Sequence, residues 1–179
     1  MNPGGISRRR FLGAAAAAPF ISRGAAREGF SIGLVADAQY ADVPDKGTRF
    51  YRASLGKLGA AVEHFNREDL SFCVHLGDLI DREWRSFDEI LRPLSASRHR
   101  WHQLLGNHDF DVLDEEKPRV AGRLGMKWRH GSFDHGGFRF VVLDTNDVCT
   151  YAHPEGSPIK AEAEAMLARL QAAKVRQAK

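Results

Sequence analysis

Three short blocks of the sequence end in side chains that can bind a cation. They read DAQ at residues 37–39, GDLID at residues 77–81 and GNHD at residues 106–109. Their carboxylate and amide oxygens suit Mn²⁺, Mg²⁺ or Fe²⁺ better than a metal that prefers thiolate ligands. A carboxylate shared by two such ions would hold them about 3.5–4 Å apart, a spacing that clamps a phosphoryl group and activates a bridging water. The blocks therefore predict a divalent-metal site.

Each block follows an apolar segment that is typical of a buried β-strand. The three segments cover residues 30–36, 70–76 and 101–105, and amphipathic helices at residues 49–67 and 84–94 separate them. This order predicts parallel strands joined by right-handed crossovers. Sites in such α/β folds lie beyond the carboxyl ends of the strands, which is where all three blocks fall.

The second half of the chain carries fewer chemical signals. Residues 110–129 predict a short helix within a loop, and residues 132–143 predict a hairpin with a Gly-Gly turn. Ser157 and Pro158 are suited to the N-cap and first position of a final helix that is rich in Ala, Glu, Lys and Leu. A thin apolar stripe on this helix is expected to pack on the rest of the protein.

The N-terminal residues 1–26 are typical of an export signal. Their four arginines, with no acidic residue, account for more than the whole formal charge of +3, so the basic balance does not indicate a nucleic-acid partner. The arginines at residues 8–10 precede Phe11 and a short alanine-rich stretch, and this resembles a bacterial twin-arginine signal. A basic arm before an ordinary helix is the alternative. The apolar stretch is shorter than the ~20 residues of a membrane span. We therefore expect export to a periplasmic or extracellular location.

The order and spacing of the three blocks resemble those of the calcineurin-like metallophosphoesterases. That superfamily carries DxH, GDxxD and GNHD or GNHE, each after a strand, and this chain departs from the pattern at Gln39. The longer strings VADAQYAD at residues 35–42, YR at residues 51–52 and FRFVVLD at residues 138–144 are similar to the manganese-dependent ADP-ribose/CDP-alcohol diphosphatase branch, which has Gln at this position. The similarity extends over nearly all of the chain after the leader.

The resemblance implies a dinuclear metal site. Asp37 and Gln39 would bind the first ion, Asp78 would bridge the two ions, and Asn107 would bind the second ion and the substrate phosphate. Mn²⁺ is the metal that the resemblance favours, with Fe²⁺ or Mg²⁺ as alternatives.

Three further residues receive roles from the resemblance. His108 would contact the substrate and stabilise the transition state or donate a proton, with Asp109 behind it as the second catalytic residue. The position of Asp109 next to His108 in the sequence also suggests that it orients the His108 ring. Asp81 would support the metal ligands indirectly or order the loop. The implied reaction is attack of metal-bound hydroxide on phosphorus in a small nucleotide-type substrate such as ADP-ribose or a CDP-alcohol.

The fold implied by the resemblance is an α/β sandwich of four layers, αββα. Residues 29–179 would supply about its N-terminal half, because the chain lacks the later histidine blocks of the superfamily. We therefore expect a C-terminally truncated domain whose oligomeric state the sequence leaves open.

Several alternatives remain open from the sequence. The chain is expected to be a diphosphatase, but it could instead be a non-catalytic fragment, or a phosphomonoesterase or cyclic-nucleotide phosphodiesterase of the same superfamily. Asp and Asn are also common at strand ends for turn formation alone, and Gln39 could be a solvent-facing loop amide. His75 is expected to be a hydrogen-bonded core residue, and His102 an ordinary solvated one.

Overall fold

A three-stranded parallel sheet lies at the centre of the protein. The computed structural model describes residues 29–177, so the export signal expected at residues 1–26 lies outside the described residues. The strands are β1 (Ile32–Val35), β2 (Phe72–His75) and β3 (Trp101–Gln103), in the spatial order β1-β2-β3. Both pairings are parallel, as the sequence predicted.

Two helices connect these strands and cover one face of the sheet. They are α1 (Ala53–Phe65) and α2 (Ser86–Ser95). The apolar stripe of each helix enters one buried cluster, to which α1 contributes Leu58 and Val62 and α2 contributes Phe87. This cluster also includes residues that follow the strands, so the loops that hold the expected site rest on the core.

A second sheet consists of a two-stranded hairpin. Its antiparallel strands are β4 (Gly131–His135) and β5 (Phe138–Val142). Gly136 and Gly137 have φ values of 56° and 77°, and two successive positive φ values match the twist of a tight hairpin. The predicted hairpin is confirmed.

The hairpin contacts the sheet face opposite to the helices through aromatic rings. The ring of Phe72 lies 5.5 Å from that of Phe133 and 5.2 Å from that of Phe140, centroid to centroid. His102 stacks on Phe133 at 4.0 Å. The expectation that His102 is simply solvated is therefore wrong, because alternation along β3 places its side chain on the face that the hairpin covers. Helices on one face and a second sheet on the other confirm the α/β class.

The segment between the third strand and the hairpin contains short helical turns. They are 3₁₀ turns at His108–Phe110 and Lys117–Arg119, followed by α3 (Val120–Arg123). Val120 and Leu124 are buried in the main core. The prediction of a short helix within a loop is confirmed.

The last helix, α4 (Pro158–Gln177), makes fewer contacts than its apolar stripe suggested. Ser157 Oγ accepts a hydrogen bond from the Lys160 N–H at 3.3 Å, which confirms the predicted N-cap. Ala163 is buried. Three other members of the stripe are about half exposed, contrary to expectation: Met166, Leu167 and Leu170. No helix within residues 29–177 is both long and apolar enough to cross a lipid bilayer.

Candidate metal centre

The first two blocks lie side by side where β1 and β2 end. The Asp37 N–H donates to the Gly77 carbonyl at 3.2 Å, and the Gln39 N–H donates to the Asp78 carbonyl at 2.9 Å. The segments that follow β1 and β2 therefore stay hydrogen-bonded to each other for several residues beyond the sheet. This pairing brings the candidate ligands Asp37, Gln39 and Asp78 to one edge of the sheet.

These three ligands share an uncommon backbone conformation. Asp37, Gln39 and Asp78 have φ values of 55°, 45° and 55°, in the left-handed region that side chains other than glycine rarely adopt. Such residues cost of order 1–3 kcal/mol each and concentrate at functional sites. Among the described residues, Glu83 is the other non-glycine residue with positive φ. Backbone strain is therefore concentrated at the candidate ligands.

The third block joins the other two through Asp78. Asp78 Oδ1 accepts a hydrogen bond from the His108 N–H at 2.8 Å, which places Asn107 and His108 beside the bridging candidate. Gly106 lies against Asp78 so closely that a Cβ on Gly106 would overlap the Asp78 carboxylate. The glycine of the GNHD block is thus required by the close approach of the two loops.

Asp109 ties the second and third loops together from inside the protein. Its Oδ1 accepts hydrogen bonds from the N–H groups of Leu79 at 2.8 Å and Ile80 at 3.3 Å. Its Oδ2 accepts from the N–H groups of Gly106 at 2.9 Å and Asp78 at 3.0 Å. The pKa of Asp109 is raised to about 6, chiefly by burial and to a smaller extent by the Asp78 charge, whereas the N–H groups of Gly106, Leu79 and Ile80 lower it. Asp109 is fully buried, so it supports the site without reaching substrate.

The ring of His108 is oriented by Asp81. The His108 Nδ1 lies 2.9 Å from Asp81 Oδ1, whereas both oxygens of Asp109 are engaged by peptide N–H groups. The expectation that Asp109 orients the His108 ring is therefore wrong. Adjacent residues on a tight turn point in different directions, and the GDLID loop instead brings Asp81 to the ring. Of the two roles expected for Asp81, this contact agrees with indirect support of the site.

Asp81 also pairs with two arginines. Its Oδ1 accepts from Arg49 Nη1 at 3.0 Å and its Oδ2 accepts from Arg82 Nη2 at 2.9 Å. The Asp81 side chain is only 2% exposed, and a buried carboxylate is tolerated when its oxygens are matched by charged donors. Three donors therefore hold this carboxylate in place beside His108.

The donors at the strand ends fit a divalent cation that prefers oxygen ligands. Asp37 and Asp78 supply carboxylates, and Gln39 and Asn107 supply amide oxygens. Within residues 29–177 no group of three or more His, Cys, Asp or Glu side chains is close enough to hold an ion. Within these blocks the candidate donors are therefore two carboxylates and two amides.

His75 lies just before this site and is not one of its donors. Its Nδ1 accepts the Gly77 N–H at 3.3 Å, and its Nε2 has no partner among the described residues. Burial lowers its pKa to about 4, so the ring is neutral at neutral pH. The expected hydrogen-bonded core histidine is confirmed.

The chain matches a known protein family over the part that contains these blocks. Residues 30–171 match the family model of the calcineurin-like phosphoesterases. The chain belongs to the calcineurin-like phosphoesterase family. The matched range contains all three ligand blocks and the hairpin, which confirms the resemblance read from the sequence.

The chain is similar to several relatives in that family. It is 31% identical over 159 residues to a manganese-dependent ADP-ribose/CDP-alcohol diphosphatase of Danio rerio, covering 72% of this chain and 48% of that protein. A protein of the same name from Oryza sativa subsp. japonica is 29% identical over 149 residues, covering 75% and 46%. The crystal structure of a dimetal phosphatase from Danio rerio superposes with a TM-score of 0.67 at 28% identity, covering 78% of this chain and 52% of that one. The chain thus spans about half the length of these relatives.

Two residues that contact the candidate site are absent from the sequence-based prediction. Arg49 lies 32 positions before Asp81, and no local pattern marks their pairing. Asn146 Nδ2 donates to the Leu105 carbonyl at 3.1 Å, next to the GNHD block. The Asp-Thr-Asn-Asp sequence at residues 144–147, after the hairpin, is typical of a turn. Its polarity was the available signal for this contact.

Proposed function

We propose that this phosphoesterase hydrolyses the phosphoanhydride bond of small nucleoside diphosphate derivatives such as ADP-ribose and CDP-alcohols. The observation that carries the proposal is the hydrogen-bonded convergence of the DAQ, GDLID and GNHD blocks at one sheet edge. The substrate class is supported by the similarity to diphosphatases of that name.

Four side chains would hold the metal ions. We propose two divalent ions, with Mn²⁺ favoured over Fe²⁺ or Mg²⁺, bound by Asp37, Gln39, Asp78 and Asn107, and Asp78 at the centre of the set. Bound ions of this kind polarise phosphoryl oxygens and make water a nucleophile at neutral pH. The left-handed backbone at Asp37, Gln39 and Asp78 fixes the directions of three of these ligands before the ions arrive.

His108 would act on the substrate from beside the ions. Its Nδ1 is held by Asp81, which leaves Nε2 as the ring nitrogen that can contact a phosphoryl or leaving-group oxygen. A proton donated from Nε2 to the departing oxygen would assist cleavage. Asn107 would contact the same phosphate.

A substrate panel tests this function. Purified 179-residue chain with Mn²⁺ is assayed on ADP-ribose, CDP-choline, p-nitrophenyl phosphate and a cyclic nucleotide. We expect Mn²⁺-dependent hydrolysis of the two diphosphates, with kcat/KM at least about tenfold above that of the other two substrates. A preference for the monoester or the cyclic nucleotide would instead indicate a phosphomonoesterase or a cyclic-nucleotide phosphodiesterase of the same superfamily. Mn²⁺ binding without turnover of any substrate would indicate a non-catalytic chain.

We also propose that the protein is exported through the twin-arginine route. The proposal is supported by the arginines at residues 8–10, the phenylalanine that follows them and the alanine-rich stretch beyond. Fractionation of a bacterial host compares the wild-type chain with a variant in which the three arginines are lysines. Wild-type protein is expected outside the cytoplasm and the variant inside. Equal export of both would reject the twin-arginine route.

A further inference from the structure

A cavity of about 160 Å³ opens beside the candidate metal centre. Asp37 and Gln39 form one wall, and Phe50, Ser54 and Lys57 form another. A second cavity, of about 180 Å³, shares Asp37, Ser54 and Lys57 with the first. Lys57 therefore borders two spaces that both reach a predicted metal ligand.

Lys57 is a cation without a carboxylate partner among residues 29–177. Its Nζ lies 5.7 Å from the centroid of the Phe50 ring, an arrangement that attracts an ammonium group to the ring face. Arg49 lines the same cavity, but its guanidinium is paired with Asp81 at 3.0 Å. Of these two cations, Lys57 is the one whose charge is open to a ligand.

We propose that Lys57 binds the phosphate of the substrate that is not attacked, and thereby selects diphosphates over esters with a single phosphate. The inference rests on the proposed function, because it takes the attacked phosphoryl group to lie at the metal centre. The second phosphate of a diphosphate would then lie beside the metal centre, in the cavity that Asp37 lines. Lys57, on the same cavity, supplies a cation for this phosphate. The ring of Phe50, which is 53% exposed, attracts the ammonium group toward the cavity.

Binding measurements separate this inference from catalysis. The dissociation constants of the α,β-methylene analogue of ADP and of AMP are measured by calorimetry with Mn²⁺ present. The variants are Lys57→Met, Lys57→Arg as the conservative replacement, and Lys174→Met as a matched control on the exposed face of α4. Because Lys57 is exposed, its replacement is expected to leave the fold intact.

Lys57→Met is expected to weaken binding of the diphosphate analogue about tenfold and that of AMP less than about twofold. Lys57→Arg should restore most of the difference, and Lys174→Met should match wild type. An equal loss for both ligands, an unchanged affinity for the diphosphate analogue, or no binding of it by wild type would overturn the inference. If Lys57→Met selectively loses affinity for the diphosphate analogue but wild type hydrolyses no substrate, only the proposed function is rejected. If wild type hydrolyses diphosphates but Lys57→Met binds the analogue as tightly as wild type, only the role of Lys57 is rejected.

Discussion

Two buried carboxylates next to the candidate metal centre, Asp81 and Asp109, have contacts of different kinds. Asp81 is surrounded by side-chain donors, namely His108, Arg49 and Arg82. Asp109 is surrounded by peptide N–H groups of two loops. The first arrangement controls the position of a candidate catalytic ring, and the second holds the backbone that carries the candidate ligands. Substitution of the two residues should therefore affect different properties.

Asp81→Asn is expected to lower kcat for the diphosphate substrate about 10- to 100-fold, because an amide cannot hold His108 and both arginines as a carboxylate does. Steady-state kinetics measures this change. The matched control is Asp88→Asn, which alters an exposed carboxylate paired with Arg123. Unchanged kcat in Asp81→Asn would contradict the assignment of Asp81 as the residue that positions His108.

Asp109→Asn is expected to lower the free energy of unfolding by about 2–3 kcal/mol. Each oxygen of Asp109 accepts two peptide N–H groups, so in either orientation the asparagine amide would face two donors with its own NH₂ group. Denaturant unfolding measures the effect. Asp134→Asn, at an exposed pair with Arg139, should change stability by less than about 1 kcal/mol. Similar losses in both variants would argue against a special role for Asp109.

Among the secondary-structure elements, the candidate site depends on the two loops after β2 and β3, which approach each other closely at glycine residues. A Cβ on Gly77 would lie 2.5 Å from the Gly106 nitrogen, and one on Gly106 would overlap Asp78. Gly77 also has a φ of 98°, which favours glycine. The strands β2 and β3 therefore deliver their ligands to one place only because neither loop has a side chain at the crossing point.

Gly106→Ala is expected to lower the free energy of unfolding by about 1–3 kcal/mol, since the methyl group forces the loops apart. The same change at Gly56, an exposed position in α1 with no atom within 4 Å of a new Cβ, should raise stability by about 0.5–1 kcal/mol. Thermal and denaturant unfolding measure both. Equal effects at the two positions would rule out a steric requirement at Gly106.

The buried His75 in β2 should make stability sensitive to acid. Its pKa is about 4 in the folded protein and about 6.5 in an unfolded chain, so the unfolded state binds more protons between these values. Stability should therefore fall as the pH drops from 6.5 to 4, by at most about 1.4 kcal/mol per pH unit from this residue. The raised pKa of Asp109 has the opposite effect, because it makes the folded state more stable as the pH drops through about 6. A variant of His75 is therefore needed to isolate the contribution of this histidine.

His75→Asn keeps an acceptor for the Gly77 N–H but does not titrate. Its stability should depend less on pH between 4 and 6.5 than that of wild type, as measured by denaturant unfolding at several pH values. His64→Asn, at an exposed site in α1, serves as the control. Identical pH slopes in wild type and His75→Asn would show that His75 does not cause the acid sensitivity.

The regular elements and the ligand blocks could be predicted from the sequence because periodicity and order along the chain are local signals. The first helix begins at Ala53, four residues later than predicted, because residues 46–49 form a β-bridge before it. The partner of His108 could not be predicted, since Asp81 and Asp109 are both plausible by spacing and only the loop conformation decides. The contacts of Arg49, His102 and Lys57 also depend on tertiary structure.

In the whole molecule, the polar groups at the strand ends are well paired, whereas part of the apolar surface is exposed to solvent. The strand ends are joined by hydrogen bonds across three loops. Several large apolar side chains on the two sheets or directly after a strand are nevertheless about half exposed: Leu34, Leu76, Phe138 and Val141. Solution studies of the chain therefore need conditions that suppress association through apolar surface.

The central claim is that the three strand ends form one metal site, and Mn²⁺ binding to wild type and Asp78→Asn tests it most directly. Asparagine tolerates the left-handed backbone of position 78, so the variant should fold while losing the central carboxylate. Calorimetric titration should give saturable Mn²⁺ binding to wild type and to the Asp88→Asn control, and at least about tenfold weaker binding to Asp78→Asn. Equal Mn²⁺ affinity in a folded Asp78→Asn variant would contradict the claim.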